Sequence, residues 1–217
     1  MTGRSALTPR AATADREGMS TRPERLSLPF AITLIVTGIV GWWAAFSLTL
    51  DKIAVLKHAD AVLDCNVSVL VQCGKNLASW QGSVLGFPNP IIGLAAWIAP
   101  IVVGVSLLAG ARFARWYWVL FNLGVAGAMA FVIWLMSQSI FVLGTLCPWC
   151  MLTWSMVIPL FFTVTVRNTA AGVFGMRLRP VGRAAVRWLI PATVIAYAIV
   201  LIVAQLRLDA LSRILHG

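Results

Sequence analysis

Five long stretches of this chain carry no Asp, Glu, Lys or Arg, and they constrain its fold more than any other feature. Each stretch is long enough, as a helix, to cross a hydrocarbon layer of about 30 Å. Of all residues, 60% are hydrophobic and 11% are charged, unlike a soluble domain. Because backbone groups in a bilayer must be satisfied within the protein, we expect helices. The predicted spans are residues 28–50, 89–111, 116–146, 149–166 and 188–206.

The first and fourth stretches are less regular than the others. Arg22 and Arg25 precede the first, as in a secretory signal, but its apolar run exceeds the roughly 7–15 residues of a signal core. No clean small-x-small cleavage site follows Trp42 and Trp43, so we predict an uncleaved anchor. The fourth contains Pro159, which membrane helices tolerate when neighbours satisfy the freed carbonyl group. We expect a kink at this proline.

The positive charge is distributed unevenly along the chain. The net charge is +10, and twelve of the seventeen basic residues fall on one side of a five-span arrangement. This asymmetry is the positive-inside pattern, which predicts a cytoplasmic N-terminus in the cell membrane and leaves no need for a nucleic-acid partner. The twelve are Arg4, Arg10, Arg16, Arg22, Arg25, Arg112, Arg115, Arg167, Arg177, Arg179, Arg183 and Arg187.

The segments between the spans complete the predicted organisation. Residues 1–27 have no apolar periodicity and are predicted to be a disordered cytoplasmic tail. Residues 51–88 form a long external loop, in which apolar runs suggest short helices on the membrane surface. Glycine- and arginine-rich residues 169–187 are predicted to be a basic cytoplasmic loop, and residues 188–217 a fifth transmembrane helix with a short external tail.

Four cysteines fall into two pairs, and this topology places both on the extracytoplasmic face. Disulfides persist in such a compartment and are rare in the cytosol. Cys147 and Cys150 flank Pro148 and Trp149, and a proline is favoured as the first residue of a helix. A cysteine at a helix start is stabilised as a thiolate by the helix dipole. The pairs Cys65 with Cys73 and Cys147 with Cys150 therefore indicate a membrane thiol–disulfide relay.

Other interpretations of the same residues remain open at this point. Buried cysteines are common as small apolar residues in helices, and Cys65 and Cys73 alone would be a structural crosslink. Four cysteines also suggest zinc, although the gap between Cys65 and Cys73 is long for half of such a site. His58 and His216 lie in polar surroundings and are predicted to be solvated. A transporter is a further alternative, but the predicted spans lack the charges that mark a transport path.

At these residues the chain resembles the vitamin K epoxide reductase (VKOR) family, over roughly residues 28–168. A separated cysteine pair follows the first span, and a Cys-x-x-Cys motif begins the fourth. The functionally similar DsbB proteins carry the two patterns in the opposite order. Ser79 matches the family's loop serine, and Asn89 matches its asparagine before the second span. Trp154 departs from the tyrosine of many members, and an indole N–H donates but does not accept.

The resemblance implies an all-α, multi-pass membrane protein with a four-helix bundle around a quinone, either menaquinone or ubiquinone, and a fifth helix outside it. A separate thioredoxin-like, DsbA-like partner would exchange with Cys65, and Cys73 would then attack Cys147 after the loop brings them together. Cys150 would pass electrons to the quinone. Hydrogen bonds from Asn89 and Trp154 would hold the quinone, with Ser79 lining its pocket. Reduction of vitamin K epoxide itself is an alternative that uses the same residues.

Overall fold

Helices account for almost all of the regular structure in a computed structural model of the chain. The structure describes residues 27–58, 63, 65–68 and 70–209, so the predicted N-terminal tail and most of the short external tail lie outside the described residues. Within the described ranges, five helical segments are long and apolar enough to cross a membrane, as predicted. They are Leu28–Lys57, Asn89–Leu108, Arg115–Leu143, Pro148–Ala171 and Met176–Leu208.

The first helix, α1 (Ser27–Lys57), is the centre of the bundle. It extends past residue 50, where the sequence predicts its end, and includes the charged residues Asp51 and Lys52. One of these, Lys52, reaches over the loop and donates to the carbonyl oxygen of Leu77. α1 packs against the second and fourth spans, and so it contacts both halves of the bundle.

The second span consists of two helices, α3 (Asn89–Ala96) and α4 (Ile98–Leu108), which follow the short loop helix α2 (Gly74–Ala78). The break at Trp97 has a local cause, because Pro100 has no N–H to donate to the carbonyl of Ala96. Small residues then let α1 approach this span closely. A Cβ atom at Gly38 would lie 2.5 Å from Ile101, and one at Gly41 would lie 2.2 Å from the Trp97 ring.

The third span begins with α5 (Arg115–Ser137) and ends in a π-helical turn, Gln138–Leu143. Gly144 ends the turn with a positive φ of 66°, a conformation that glycine adopts without a steric penalty. The predicted span, which continued to residue 146, was therefore too long at its C-terminal end. The residues after Gly144 leave the helix, and Leu146 pairs with the loop between the first and second spans.

The fourth span is α6 (Pro148–Ala171), and it continues beyond the predicted end at residue 166. Pro159 lies inside this helix, which continues through it. Near the end of the helix, the fully buried Asn168 donates to Asn122 Oδ1 at 3.2 Å and to the Trp118 carbonyl at 3.3 Å. These bonds join α5 to α6 at the end of the bundle opposite the cysteines.

The segment 169–187, predicted to be a loop, is instead largely helical. It contains two short 3-10 turns and α7 (Arg179–Ala185), and it leads into α8 (Leu189–Leu208). α7 lies directly on α6, because a Cβ atom at Gly182 would be 2.2 Å from the backbone nitrogen of Ala170. α8 packs mainly against α6 and stays outside the four-span bundle.

Candidate active site

The loop between the first and second spans places the first cysteine pair at the start of α2. Cys65 and Cys73 form a disulfide, with their Cα atoms 5.8 Å apart. Cys73 is the N-cap residue of α2, and the backbone N–H groups of Cys73 and Gly74 donate to Asn66 Oδ1 at 2.9 Å and 3.2 Å. Asn66, next to Cys65 in sequence, therefore supplies one acceptor atom for two N–H groups at the helix start. Local capping and the disulfide hold this pair in one conformation.

Main-chain hydrogen bonds join this loop to the segment that carries the second pair. Val71 and Leu146 form a parallel bridge. The N–H of Gln72 donates to the Leu146 carbonyl at 3.0 Å, and the N–H of Leu146 donates to the Leu70 carbonyl at 2.8 Å. Each bridged residue lies one or two positions before a cysteine. The loop motion expected from the sequence is therefore not needed to bring Cys73 to Cys147 in this structure.

Cys147 is the N-cap residue of α6, as the sequence predicts, and it is fully buried. Its Sγ lies 3.2 Å from Cys73 Sγ, so the two pairs are in direct contact. The backbone N–H of Cys150 donates to Cys147 Sγ at 3.4 Å. The pKa of Cys147 is lowered, chiefly because the Cys150 side chain hydrogen-bonds to its sulfur, although burial opposes this change. A thiolate at Cys147 is therefore favoured beside Cys73.

An acidic residue from α1 also contacts the first pair. Asp51 Oδ2 lies 3.3 Å from Cys65 Sγ, and Asp51, Cys65 and Cys73 together have ligand atoms within 4.8 Å of one another. This group does not support the zinc alternative, because zinc binds thiolates and both sulfurs are bonded to each other in a disulfide. The four cysteines are therefore arranged for disulfide exchange.

A cavity of about 500 Å³ opens beside Cys150, inside the bundle. Its walls come from α1, α2, α3, α4, α5 and α6, and most of its lining is apolar. The second and third spans each pack against the central helices but make few contacts with each other, which leaves the space between them. Cavities of this size and polarity hold ligands of the size of a small cofactor.

The three residues predicted to hold a quinone, Ser79, Asn89 and Trp154, all line this cavity together with Cys150. Trp154 is buried, one turn after Cys150 on α6. Asn89 Nδ2 donates to the Gln81 carbonyl at 2.6 Å, and Asn89 Oδ1 accepts from the N–H of Val84 at 3.0 Å. Asn89 therefore holds the loop over the cavity as well as facing it.

Further polar residues of the cavity, Gln81 and Asn76 among them, were not predicted from the sequence. Gln81 is buried and donates to Gln138 Oε1 at 3.4 Å. Asn76 lines the cavity too, and within the described part of the chain its buried Nδ2 has no hydrogen-bond partner. A sequence signal for Asn76 existed, since it precedes Ser79 by one helical turn in the loop. An unpartnered buried donor is costly, so an acceptor atom of a bound molecule fits here.

The structure is thus that of a helical membrane protein in which a disulfide contacts a dithiol at the wall of an apolar cavity. Residues 32–165 match the Vitamin K epoxide reductase family, and the chain belongs to that family. The resemblance inferred from the cysteine order, Ser79 and Asn89 is confirmed. Members of this family are membrane oxidoreductases of disulfide and quinone chemistry. Comparisons with curated proteins and with solved structures give no match.

Proposed function

We propose that this protein is a quinone-dependent thiol–disulfide oxidoreductase that reoxidises an extracytoplasmic, thioredoxin-like partner of the DsbA type. The observation that carries the proposal is the 3.2 Å contact between the sulfurs of Cys73 and Cys147. A structural crosslink requires no second cysteine pair, whereas a relay requires the two pairs to meet. Exchange proceeds when a thiolate attacks a disulfide sulfur, so direct contact is the condition for transfer.

The first exchange takes place at Cys65. A thiolate of the reduced partner attacks Cys65 Sγ, the bond from Cys65 to Cys73 breaks, and Cys73 leaves as a thiolate. The second thiol of the partner then attacks the mixed disulfide, which releases the oxidised partner and the Cys65 thiol. Two electrons have entered the protein, and they reside on the first cysteine pair.

The second exchange takes place between the pairs. The Cys73 thiolate attacks Cys147 when Cys147 and Cys150 form a disulfide, and Cys150 leaves as a thiolate. Cys65 then attacks Cys73, so the first disulfide forms again and Cys147 is released. The structure corresponds to the state after this step, with a disulfide at the first pair and free thiols at Cys147 and Cys150.

The cavity beside Cys150 fits a quinone ring by its size, its apolar lining and its polar groups. A quinone supplies an acceptor for two electrons and two protons. Asn89, Trp154 and the unpartnered Nδ2 of Asn76 are the donors that would hold its carbonyl oxygens, with Ser79 at the same wall. Such donors favour negative charge on an oxygen that they contact. Two electrons and two protons would leave through Cys150 at this wall as the Cys147 and Cys150 thiols form their disulfide again.

Quinone reduction by the purified protein tests the proposal. We would follow menadione anaerobically in detergent, with dithiothreitol as the electron donor and a protein-free blank subtracted. Wild type is expected to reduce menadione, and Cys150→Ser is expected to have no activity above the blank, because the exit sulfur is absent. Equal rates with both proteins would contradict the proposal. Reduction of vitamin K epoxide without any reduction of quinone would favour the alternative function.

The order of the two loop cysteines needs a separate test. Cys73→Ala removes the thiol that leaves in the first exchange, so Cys65 is expected to hold reduced thioredoxin, used as the probe, in a mixed disulfide after mild oxidation. The matched variant Cys65→Ala is expected to trap much less. Peptide mass spectrometry identifies the trapped cysteine. Preferential trapping on Cys73 would reverse the roles assigned to these two residues.

A further inference from the structure

One carbonyl group in α6 lacks its normal helical partner. In an α-helix the carbonyl of residue i accepts from the N–H of residue i+4. Pro159 lies four residues after Ser155 and has no N–H, so the Ser155 carbonyl loses this bond. The hydroxyl of Ser155 does not replace it, because that group donates to the Leu152 carbonyl at 2.8 Å. A carbonyl without a donor is costly in a membrane interior.

The missing donor comes from the fifth span. Tyr197 Oη, on α8, donates to the Ser155 carbonyl at 2.5 Å. Its ring is half-buried against the bundle, together with Val200 and Val203. One turn further along, Ala204 is buried on the same side of α8. These residues recur at helical spacing, so one face of α8 is directed at α6 and Tyr197 is the part of that face that bonds to its backbone.

We propose that Tyr197 is a positioning residue, through which the fifth span sets the geometry of the cysteine-bearing half of α6. This inference rests on the proposed function, because its consequence is for electron transfer from Cys150. Ser155 directly follows Trp154, and both Trp154 and Cys150 line the cavity. Helices bend where a proline removes a bond, and the bend depends on what satisfies the freed carbonyl.

A second contact between the same elements agrees with this role. The guanidinium of Arg207 lies 5.1 Å from the centre of the Phe141 ring, which belongs to the π-helical turn before the Cys147 segment. α8 thus contacts the structure on both sides of the second cysteine pair. The fifth span, although outside the bundle, therefore holds the N-terminal part of α6, which carries Cys150, in position.

Removing the Tyr197 hydroxyl tests the proposal in the full-length protein. Tyr197→Phe is expected to lower kcat for menadione reduction about three- to tenfold, which is the effect of one neutral hydrogen bond. The KM for dithiothreitol should not change, since the first pair lies elsewhere. Thr193→Val is the matched control, because it removes a hydroxyl of α8 that donates only within α8, to the Leu189 carbonyl. This control is expected to behave like wild type.

Rescue by a second substitution separates positioning from general destabilisation. Pro159→Ala restores an N–H that donates to the Ser155 carbonyl within the helix. In that background, Tyr197→Phe is expected to change kcat by less than about twofold, because the carbonyl no longer depends on Tyr197. An undiminished effect of Tyr197→Phe in the Pro159→Ala protein would overturn the proposal, as would a Tyr197→Phe protein identical to the Thr193→Val control.

A readout without quinone distinguishes this proposal from the proposed function. In a Cys147→Ser background, with the first pair oxidised, Cys150 is the remaining thiol. Its rate of alkylation by N-ethylmaleimide reports how accessible and reactive this thiol is at the cavity wall. Tyr197→Phe is expected to change this rate at least threefold, and Pro159→Ala is expected to cancel the change. If the alkylation rate changes in this way but the wild-type protein does not reduce menadione, the positioning role is supported and the proposed function is overturned. An unchanged alkylation rate would overturn the positioning role.

Discussion

The sulfurs of Cys73 and Cys147 lie 3.2 Å apart, and exchange between them requires one sulfur to be a thiolate that attacks a disulfide containing the other. Hydrogen bonds from the Cys150 side chain and backbone lower the pKa of Cys147, while burial and the nearby Asp51 carboxylate raise it. The hydrogen bonds have the larger effect, so Cys147 ionises more readily than an ordinary cysteine thiol. A low thiol pKa also makes a sulfur a better leaving group.

The role of the Cys150 side chain in this pKa is testable with two variants. Cys150→Ala removes the side-chain donor, so the pKa of Cys147 should rise and its thiolate should appear only at higher pH. Cys150→Ser keeps a hydroxyl donor and is the matched control. The measurement is the pH dependence of modification of Cys147 by methyl methanethiosulfonate. The midpoint should be higher for the alanine variant, and equal midpoints would contradict the assignment.

Asn76 provides a second prediction for a single residue. Asn76→Leu removes the unpartnered donor, and it also removes Oδ1, which accepts from Thr145 Oγ1 at the long distance of 3.4 Å, so thermal stability should change by less than about 1 kcal/mol. If the donor holds a carbonyl oxygen of the quinone, the KM for menadione should rise about three- to tenfold. Steady-state kinetics and thermal unfolding in detergent measure the two effects. A lower melting temperature with an unchanged KM would show that Asn76 has a structural role instead.

Among the elements, α1 and the second span pack closely against each other. Association of membrane helices depends on small residues that allow close approach, and α1 supplies Gly38 and Gly41. Trp97 fills the space over Gly41 at the break between α3 and α4, and its ring is buried there. This packing sets one wall of the cavity, because Trp97 also lines it.

Gly41→Ala should therefore destabilise the bundle, because a new methyl group would lie 2.2 Å from the Trp97 ring. Overpacking of this kind costs about 1–3 kcal/mol. Gly127→Ala on α5 is the control, since nothing lies within 4 Å of its Cβ position and alanine is the better helix former. Thermal unfolding in detergent should give a lower melting temperature for the first variant only. Equal melting temperatures would contradict the close packing.

For the whole molecule, the cysteine site and the cluster of arginines lie at opposite ends of the bundle. The site is formed by the end of α1, the loop before α3 and the start of α6, whereas α7 and its flanking turns carry Arg177, Arg179, Arg183 and Arg187. Positive charge is retained on the cytoplasmic side during insertion. This separation supports the proposed orientation, with the cysteines on the extracytoplasmic face.

Labelling of intact cells tests that orientation. In a cysteine-free background, Lys57→Cys at the end of α1 should react with a membrane-impermeant maleimide. Its side chain is exposed, and the proposed topology places it outside the cell. Arg177→Cys, which is also exposed, should react only after the membrane is permeabilised. Gel-shift or mass analysis measures the labelling. The reverse pattern would place the cysteine site in the cytosol and overturn the proposed partner.

The amino-acid sequence by itself determined the helical class, the five spans and the identity of the cysteine pairs. These are local properties: apolar runs predict spans, Pro148 after Cys147 predicts a helix start, and the order of the cysteines carries the family resemblance. Local signals were weaker at the ends of helices. Lys52 did not end α1, because its side chain donates to the Leu77 carbonyl. Residues 169–187 are largely helical because they pack on α6, which composition does not indicate.

Only the tertiary structure decided which distant groups meet. Cys73 and Cys147 are 74 positions apart, and their contact depends on the bridge between Val71 and Leu146. The bond from Tyr197 to Ser155 likewise depends on how α8 packs against α6. Sequence patterns show which residues have unmet hydrogen-bonding or redox capacity, such as Ser155 before Pro159. The partner of each such group is set by the packing of helices far apart in the chain.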